Sequence, residues 1–272
     1  MQNDLKAGQK PKIVIAGTEH ARLVSFAENM AAQNPDAADD LLSELSAYPA
    51  YYAHMGVINS EGPAAVDLST PKPIEPDELR RRLESGEWVV DLRHRVAFAA
   101  GHLEGSLGFE LSGSFVTYLG WLHPWGTPLT LIGESEDQIA DARRELVRIG
   151  IDDIAGAADI ETVRGAAAER TYRVADFSAL AEALRAGPLT VLDVRQSDEF
   201  AESHIADAVN IPLHELLDRS NELPAGDVWV HCASGYRASI AASLLDNNAR
   251  AVVLIDDEFG SAEELGLTAG SA

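Results

Sequence analysis

The chain has 272 residues, of which 46% are hydrophobic and 24% are charged, a balance typical of a globular protein with two ordinary or three small domains. Its 44 acidic residues outnumber its 21 basic residues, and the net charge of −23 makes binding to nucleic acid or to an anionic membrane surface unfavourable. The apolar runs are shorter than the about 20 residues of a membrane span, the N-terminus is polar and the single cysteine excludes an internal disulfide, so we expect a cytoplasmic protein.

Residues 1–70 contain short predicted elements but no pattern large enough for a core of their own. Residues 12–17 form a predicted strand, and residues 19–33 and 36–45 form predicted helices. A tyrosine-rich stretch follows and includes His54. No second histidine or carboxylate cluster with ligand spacing accompanies His54, so we expect a packed or surface residue and no metal site.

Two later stretches of the chain repeat the same unusual residues. After a proline-rich segment at residues 71–76, a helix is predicted over residues 77–84 and a buried strand over residues 88–93. Four residues recur 102 positions later, namely Asp91 as Asp193, Arg93 as Arg195, Phe98 as Phe200 and His102 as His204. Four distinctive matches at a single offset indicate two copies of one domain of about 100 residues.

The second copy alternates helices with strands. Helices are predicted over residues 174–186, 198–203, 214–218 and 238–245, and strands over residues 189–194, 209–212, 228–231 and 251–255. Because this alternation favours a mainly parallel sheet covered on both faces, the predicted fold class is α/β. Such sheets place their ligand sites beyond the carboxyl ends of the central strands.

Cys232 lies at such a position, between a predicted strand and the helix that follows it. Gly235 allows a tight bend, and backbone N–H groups and the helix N-terminus then point at whatever the sulfur carries. Arg237 adds positive charge that would stabilise a thiolate. A buried structural cysteine is the alternative, but a core residue gains nothing from the Gly-x-Arg that follows. The sequence therefore predicts a nucleophile on an anion-binding turn.

The second copy resembles the rhodanese homology domain. The resemblance runs through Leu-Asp-Val-Arg at residues 192–195, Glu-Phe at 199–200, His-Ile at 204–205 and Asn-Ile-Pro at 210–212, and it ends in Cys232-x-x-Gly235-x-Arg237. The first copy is similar over residues 90–106. The resemblance implies two rhodanese-like domains, at residues 71–160 and 170–272, each a mainly parallel sheet flanked by helices.

Such a domain implies sulfur transfer through a persulfide. Cys232 would take the outer sulfur of thiosulfate or a related persulfide donor and hold it until a thiol, or cyanide in an assay, removes it. Arg237 would position the anionic donor, and Asp193 and Arg195 would support the loop as a structural ion pair. The implied substrate-binding residues are the loop positions Ala233, Ser234, Gly235 and Tyr236, whose amides would surround the sulfur. No cofactor is implied.

The first copy departs from this pattern where the chemistry is required. Aligning the strands puts Gly133 opposite Cys232 and Gln138 opposite Arg237, so this copy lacks both the thiol and the cation. Three acidic residues that would repel an anionic donor lie here, Glu134, Glu136 and Asp137. We expect the first domain to be catalytically inactive and to serve as a structural partner.

The tyrosine-rich stretch resembles part of a larger class of proteins. Pro-x-Tyr-Tyr-x-His-Met at residues 49–55 and Tyr-Leu-Gly-Trp-Leu at residues 118–122 are similar to proteins that join a metallo-β-lactamase-fold domain to rhodanese domains. Residues 1–70 would then be the C-terminal remnant of that hydrolase without its zinc-binding motif, either because the chain is a piece of a longer protein or because the gene has lost the front. A metallo-β-lactamase-fold protein and a second copy of the chain are the candidate macromolecular partners.

Two other functions are compatible with a cysteine on an anion-binding turn. Cysteine-dependent phosphatases and arsenate reductases use longer Cys-x5-Arg loops, whereas four residues separate Cys232 from Arg237 here. The shorter loop favours a single sulfur over a phosphate. A non-enzymatic docking or sulfur-sensing module is the stronger alternative, because the hydrolase domain is missing.

Overall fold

Parallel strands organise the part of the chain that the structure describes. The computed structural model describes residues 67–246 and 250–270. Its strands form two parallel sheets in succession, in a first half (residues 67–170) and a second half (residues 171–246 and 250–270). The predictions for residues 1–66, which include the tyrosine-rich stretch and most of the hydrolase remnant, lie outside the described residues.

The first half is a four-stranded sheet with helices in its connections. Its elements are α1 (Pro76–Glu84), β1 (Trp88–Asp91), α2 (Arg95–Ala100), β2 (His102–Leu103), β3 (Leu107–Gly108), α3 (Phe115–Leu122), β4 (Leu129–Gly133), α4 (Glu136–Arg148), β5 (Ile154–Asp159), α5 (Ile160–Val163) and β6 (Glu169–Arg170). The strand order is β3-β1-β4-β5 with every pair parallel, and β2 pairs separately with β6 in antiparallel fashion. The central strands are buried because helices cover the sheet.

The second half repeats this arrangement with one more strand. Its elements are β7 (Arg173–Ala175), α6 (Phe177–Ala186), β8 (Thr190–Asp193), α7 (Ser197–Glu202), β9 (Ser203–Ile205), β10 (Val209–Asn210), a 3₁₀ turn (Leu213–Glu215), α8 (Leu216–Arg219), a second 3₁₀ turn (Ser220–Glu222), β11 (Val228–His231), α9 (Tyr236–Asp246), β12 (Val252–Ile255), α10 (Phe259–Glu264) and β13 (Thr268–Gly270). The parallel sheet has the order β10-β8-β11-β12-β7, and β9 pairs with β13. The predicted α/β class with parallel sheets is confirmed.

Equivalent ion pairs follow strands β1 and β8. Arg93 binds Asp91, and Arg195 binds Asp193, each with an Nη2–Oδ2 distance of 2.7 Å. In both pairs the aspartate also accepts a hydrogen bond from the arginine backbone N–H, at 3.0 and 2.9 Å. All four residues are buried, so each pair fixes the turn that leaves its strand.

Histidine–phenylalanine stacks follow at equivalent positions. The ring of His102 lies 4.1 Å from that of Phe98, and the ring of His204 lies 4.2 Å from that of Phe200. Nδ1 of each histidine is paired with the backbone carbonyl of the phenylalanine on which it stacks. Both histidines are therefore packing residues.

Several predicted boundaries shift in the structure. The helix predicted over residues 174–186 begins only at Phe177, because residues 173–175 pair with β12 as a strand. Asp176 then caps the helix by accepting a hydrogen bond from the N–H of Ala179 at 2.8 Å. The helix predicted over residues 214–218 is a 3₁₀ turn followed by the short helix α8.

No helix in the described ranges has the length and apolarity to cross a membrane.

A buried carboxylate at the end of α9 joins the two halves. Asp246 accepts two hydrogen bonds from Arg170, at 2.6 and 2.7 Å, and lies 3.2 Å from Nε2 of His102. Burial lowers the pKa of His102 despite the opposing effect of Asp246, so this histidine is neutral. Both halves belong to one compact unit. The finer division at residues 71–160 and 170–272 stays a prediction.

We expect Asp246→Ala to lower the free energy of unfolding by about 2–3 kcal/mol, because Arg170 and His102 lose a buried partner. Chemical denaturation measures this loss. Glu104→Ala is the control, since it removes a more exposed partner of Arg170 at 3.4 Å and should cost less than about 1 kcal/mol. Equal losses in the two variants would contradict the buried junction.

Candidate active site

Cys232 follows the central strand of the second sheet. Strand β11 pairs with β8 on one side and with β12 on the other, and Cys232 leaves its carboxyl end. The residue is 2% exposed, and α9 begins at Tyr236. The predicted strand, turn and helix around the cysteine are thus present. In the described ranges, no group of three or more His, Cys, Asp and Glu side chains is arranged to hold a metal ion.

The loop after Cys232 is held in one shape by Gly235. The φ angle of Gly235 is +86°, a left-handed conformation that favours glycine, and a Cβ atom here would collide with the carboxylate of Asp256. The carbonyl of Ala233 accepts a hydrogen bond from the N–H of Phe259 at 2.8 Å. The carbonyl of Gly235 accepts one from Ser239 at 2.9 Å, which starts α9. The loop is therefore tied to α9 and α10.

Arg237 is engaged in a bidentate ion pair with Glu199. Its two terminal nitrogens donate to the two carboxylate oxygens at 2.5 and 2.8 Å. Burial opposes the charge on both groups, but the ion pair outweighs it, raising the pKa of Arg237 and lowering the pKa of Glu199. The arginine thus links the cysteine loop to α7, and its positive charge is balanced there. Sequence reasoning assigned no role to Glu199, because its partner lies 38 residues away.

Asp193, Arg195 and His231 form a packed layer at the strand ends beside the loop. The guanidinium carbon of Arg195 lies 3.7 Å from the centre of the Phe259 ring, and His231 stacks on the same ring at 5.6 Å. Nε2 of His231 lies 3.6 Å from Asp193. Burial lowers the pKa of His231, although the charge of Asp193 acts against this shift. Because His231 is buried and neutral, these residues support the strand ends and the loop.

The first half contacts the loop directly. The hydroxyl of Tyr236 donates a hydrogen bond to the backbone carbonyl of Glu110 at 2.6 Å. Arg95 donates to Asp256 at 2.6 Å and to the side chain of Glu110 at 2.8 Å. Asp256 is also the residue that packs against Gly235, so the first half braces the turn at two adjacent residues, Gly235 and Tyr236. The Tyr236–Glu110 and Arg95–Asp256 partners are more than 100 positions apart in sequence, and no local motif signals them.

In the first half, a glutamine side chain occupies the loop that corresponds to the cysteine loop. Asp91 is in register with Ile132, as Asp193 is with His231, so Gly133 takes the place of Cys232. The side-chain oxygen of Gln138 accepts a hydrogen bond from the N–H of Glu134 at 2.8 Å, and its nitrogen donates to Leu92 at 3.1 Å. The glutamine amide therefore occupies the loop. A Cβ atom on Gly133 would lie 3.0 Å from it.

Comparison with protein-family models shows which kind of domain contains this site. The family model of the rhodanese-like domain matches residues 176–260, a range that includes Cys232 and the whole loop. The chain contains a rhodanese-like domain. The match covers the second half of the described chain, and the first half lies outside it.

Similar proteins come from several bacteria. The chain is 44% identical over 55 residues to the putative sulfur carrier protein YrkF of Bacillus subtilis, covering 20% of this chain and 30% of that protein. A thiosulfate sulfurtransferase structure from Pseudomonas aeruginosa is 18% identical, with a TM-score of 0.32, and the match covers 74% of this chain and 44% of the other. A metallo-beta-lactamase structure from Staphylococcus aureus is 29% identical, with a TM-score of 0.38, over 45% of this chain and 34% of the other. The chain spans 30–56% of the length of the curated relatives it matches.

We expect Gly235→Ala to lower the free energy of unfolding by about 2–4 kcal/mol, because the new methyl group adds left-handed strain and displaces Asp256. Gly187→Ala is the matched control, since its backbone is extended and nothing lies within 4 Å of its added Cβ. Thermal and chemical denaturation of both variants measure the difference. A Gly235→Ala protein as stable as the control would contradict the close packing of the loop.

Proposed function

We propose that this protein is a sulfurtransferase that carries a sulfane sulfur as a persulfide on Cys232. The observation that carries the proposal is a cysteine at the carboxyl end of the central strand of a rhodanese-like domain, on a tight turn that leads into a helix. The sulfur donor would be thiosulfate or a related persulfide, and the acceptor would be a thiol or, in an assay, cyanide.

The transfer consists of two displacements at sulfur. The thiolate of Cys232 attacks the outer sulfur of thiosulfate, the donor S–S bond breaks, and sulfite leaves with the electron pair as the new S–S bond forms on the cysteine. An acceptor thiolate or cyanide then attacks that outer sulfur and regenerates the Cys232 thiolate. Charge and electrons balance in both steps, so no redox cofactor takes part.

The loop stabilises the transferred sulfur in this proposal. Amides of the turn from Ala233 to Tyr236 and the N-terminus of α9 supply partial positive charge where the persulfide would lie. Ser234 is exposed, which gives an acceptor a route to the loop. Arg237 contributes chiefly by fixing the loop against Glu199. Asp193 and Arg195 act beneath it as structural support.

We also propose that the first half is a second, inactive rhodanese-like domain. Its four strands have the same order as those of the second half, and the same ion pair and histidine stack follow the equivalent strand. Gln138 fills the loop that would otherwise hold sulfur. We further propose that the protein is cytoplasmic and that residues 1–70 are a hydrolase remnant. Its candidate macromolecular partners are a metallo-β-lactamase-fold protein and a second copy of the chain.

Incubation with thiosulfate should add the mass of one sulfur atom to the protein, because Cys232 retains the outer sulfur as a persulfide. Intact-mass measurement detects this gain, and added cyanide should remove it and release thiocyanate. Cys232→Ser should gain no sulfur. A wild-type protein that neither gains sulfur nor forms thiocyanate would favour the docking or sensing alternative, and aryl-phosphate turnover that requires Cys232 would favour a phosphatase.

Gly133→Cys in the Cys232→Ser background should gain no sulfur from thiosulfate. The new thiol would meet the Gln138 amide, which already holds the N–H of Glu134, and no arginine replaces that glutamine. Intact mass after thiosulfate treatment is again the measurement. Sulfur loading at a rate comparable to that of the wild type would show that the first half is not blocked in this way.

A further inference from the structure

A row of four aromatic rings crosses from the cysteine loop into the first half. Tyr236 lies 5.6 Å from Tyr118, Tyr118 lies 5.4 Å from Trp121, and Trp121 lies 5.3 Å from His214, measured between ring centres. Tyr118 and Trp121 belong to α3 of the first half, whereas Tyr236 and His214 belong to the second. The row therefore holds α3 beside the cysteine loop.

Tyr118 is the member of this row whose hydroxyl also experiences the charges of the loop residues. Burial raises the pKa of its hydroxyl, and the nearby charges of Arg237, Cys232 and Glu199 act on it in addition. The phenol is thus neutral at physiological pH and remains a hydrogen-bond donor. Its side chain is half-buried, so part of it is exposed to solvent.

The arginines around the loop are paired with carboxylates, which makes a neutral hydrogen-bond donor useful there. Arg237 is fully engaged by Glu199, and Arg95 is engaged by Asp256 and Glu110. Both cations are therefore paired with carboxylates, which reduces the charge that each offers to an incoming anion, in a protein whose net charge is −23. A neutral hydroxyl group can stabilise negative charge on a sulfur atom by donating a hydrogen bond. It carries no charge of its own that a carboxylate could offset.

We propose that Tyr118, from the half without a cysteine, is a positioning residue of the Cys232 site, with its neutral hydroxyl donating a hydrogen bond to the sulfur during transfer. This inference rests on the proposed sulfurtransferase function. No bond to Tyr118 forms or breaks and no proton leaves it, so the residue acts only by orienting the sulfur and stabilising its charge. The site is then completed by both halves of the chain.

Tyr118→Phe keeps the ring and its contacts but removes the hydroxyl. Its maximal rate of persulfide formation from thiosulfate, followed by intact mass in single turnovers, should fall about tenfold, the usual effect of losing one hydrogen bond to a charged group. Tyr172→Phe is the matched control, because Tyr172 is a buried tyrosine that packs on Phe98 and His102. It should load sulfur at the wild-type rate.

A second measurement separates a hydrogen-bonding role from a structural one. Protein with 3-fluorotyrosine at position 118 regains a hydroxyl that ionises at lower pH, so it should recover the loading rate at neutral pH. Its rate should then fall at a lower alkaline pH than that of the wild type, whereas 3-fluorotyrosine at position 172 should leave the pH profile unchanged.

The outcomes distinguish the inference from the function on which it rests. Absence of sulfur gain in the wild type would overturn both. Sulfur gain that is equally fast in the wild type and in Tyr118→Phe would overturn the role of Tyr118 alone. A slow Tyr118→Phe variant that 3-fluorotyrosine at position 118 fails to rescue would also overturn it, because the hydroxyl would not be the group responsible.

Discussion

The bidentate ion pair between Arg237 and Glu199 fixes the end of the cysteine loop and offsets its positive charge. It ties the first turn of α9 to α7, and so holds the loop between two helices of the same half. The charge of Arg237 acts on Cys232 but is paired with Glu199, so in the proposed function oriented backbone amides and neutral side chains would supply further stabilisation of a bound sulfur. Gly235 is required for a separate reason, since its left-handed backbone lies against Asp256, and the proposed hydrogen bond from Tyr118 would be one source of stabilisation from a neutral side chain.

Under the proposed function, the two halves differ at the loop in ways that would separate a reactive loop from an inert one. Both halves have a parallel strand order with the same ion pair after the equivalent strand. In the first half the side chain of Gln138 bonds to the loop amide that would face a sulfur. In the second half the corresponding residue, Arg237, turns instead to Glu199. The two halves share the scaffold. They differ in that the side chain of Gln138 accepts a hydrogen bond from the loop amide, whereas Arg237 pairs with Glu199. The first half contributes instead through Arg95, Glu110 and α3, which brace the loop of the second.

Local features of the site could be predicted from the sequence because their signals lie within a few residues. The strand before Cys232, the glycine in the turn and the Asp193–Arg195 pair are all of this kind, and the parallel α/β class followed from alternating strands and helices. The start of α6 was misplaced, because residues 173–175 pair with a strand some 80 positions later and this pairing overrides their helical pattern. The contacts of Glu199, Glu110 and Asp256 were missed for the same reason, since they depend on how distant segments meet.

The central claim is that Cys232 holds a sulfur atom within this loop. A crystal structure of the protein after thiosulfate treatment tests it most directly. The account predicts electron density for one additional sulfur bonded to Sγ of Cys232 and surrounded by the amides of Ala233 to Arg237, with the Arg237–Glu199 pair intact and the loop at Gly133 unchanged. An unmodified Cys232 in a crystal of protein whose mass shows that it has gained sulfur from thiosulfate, or a sulfur bound elsewhere, would contradict it.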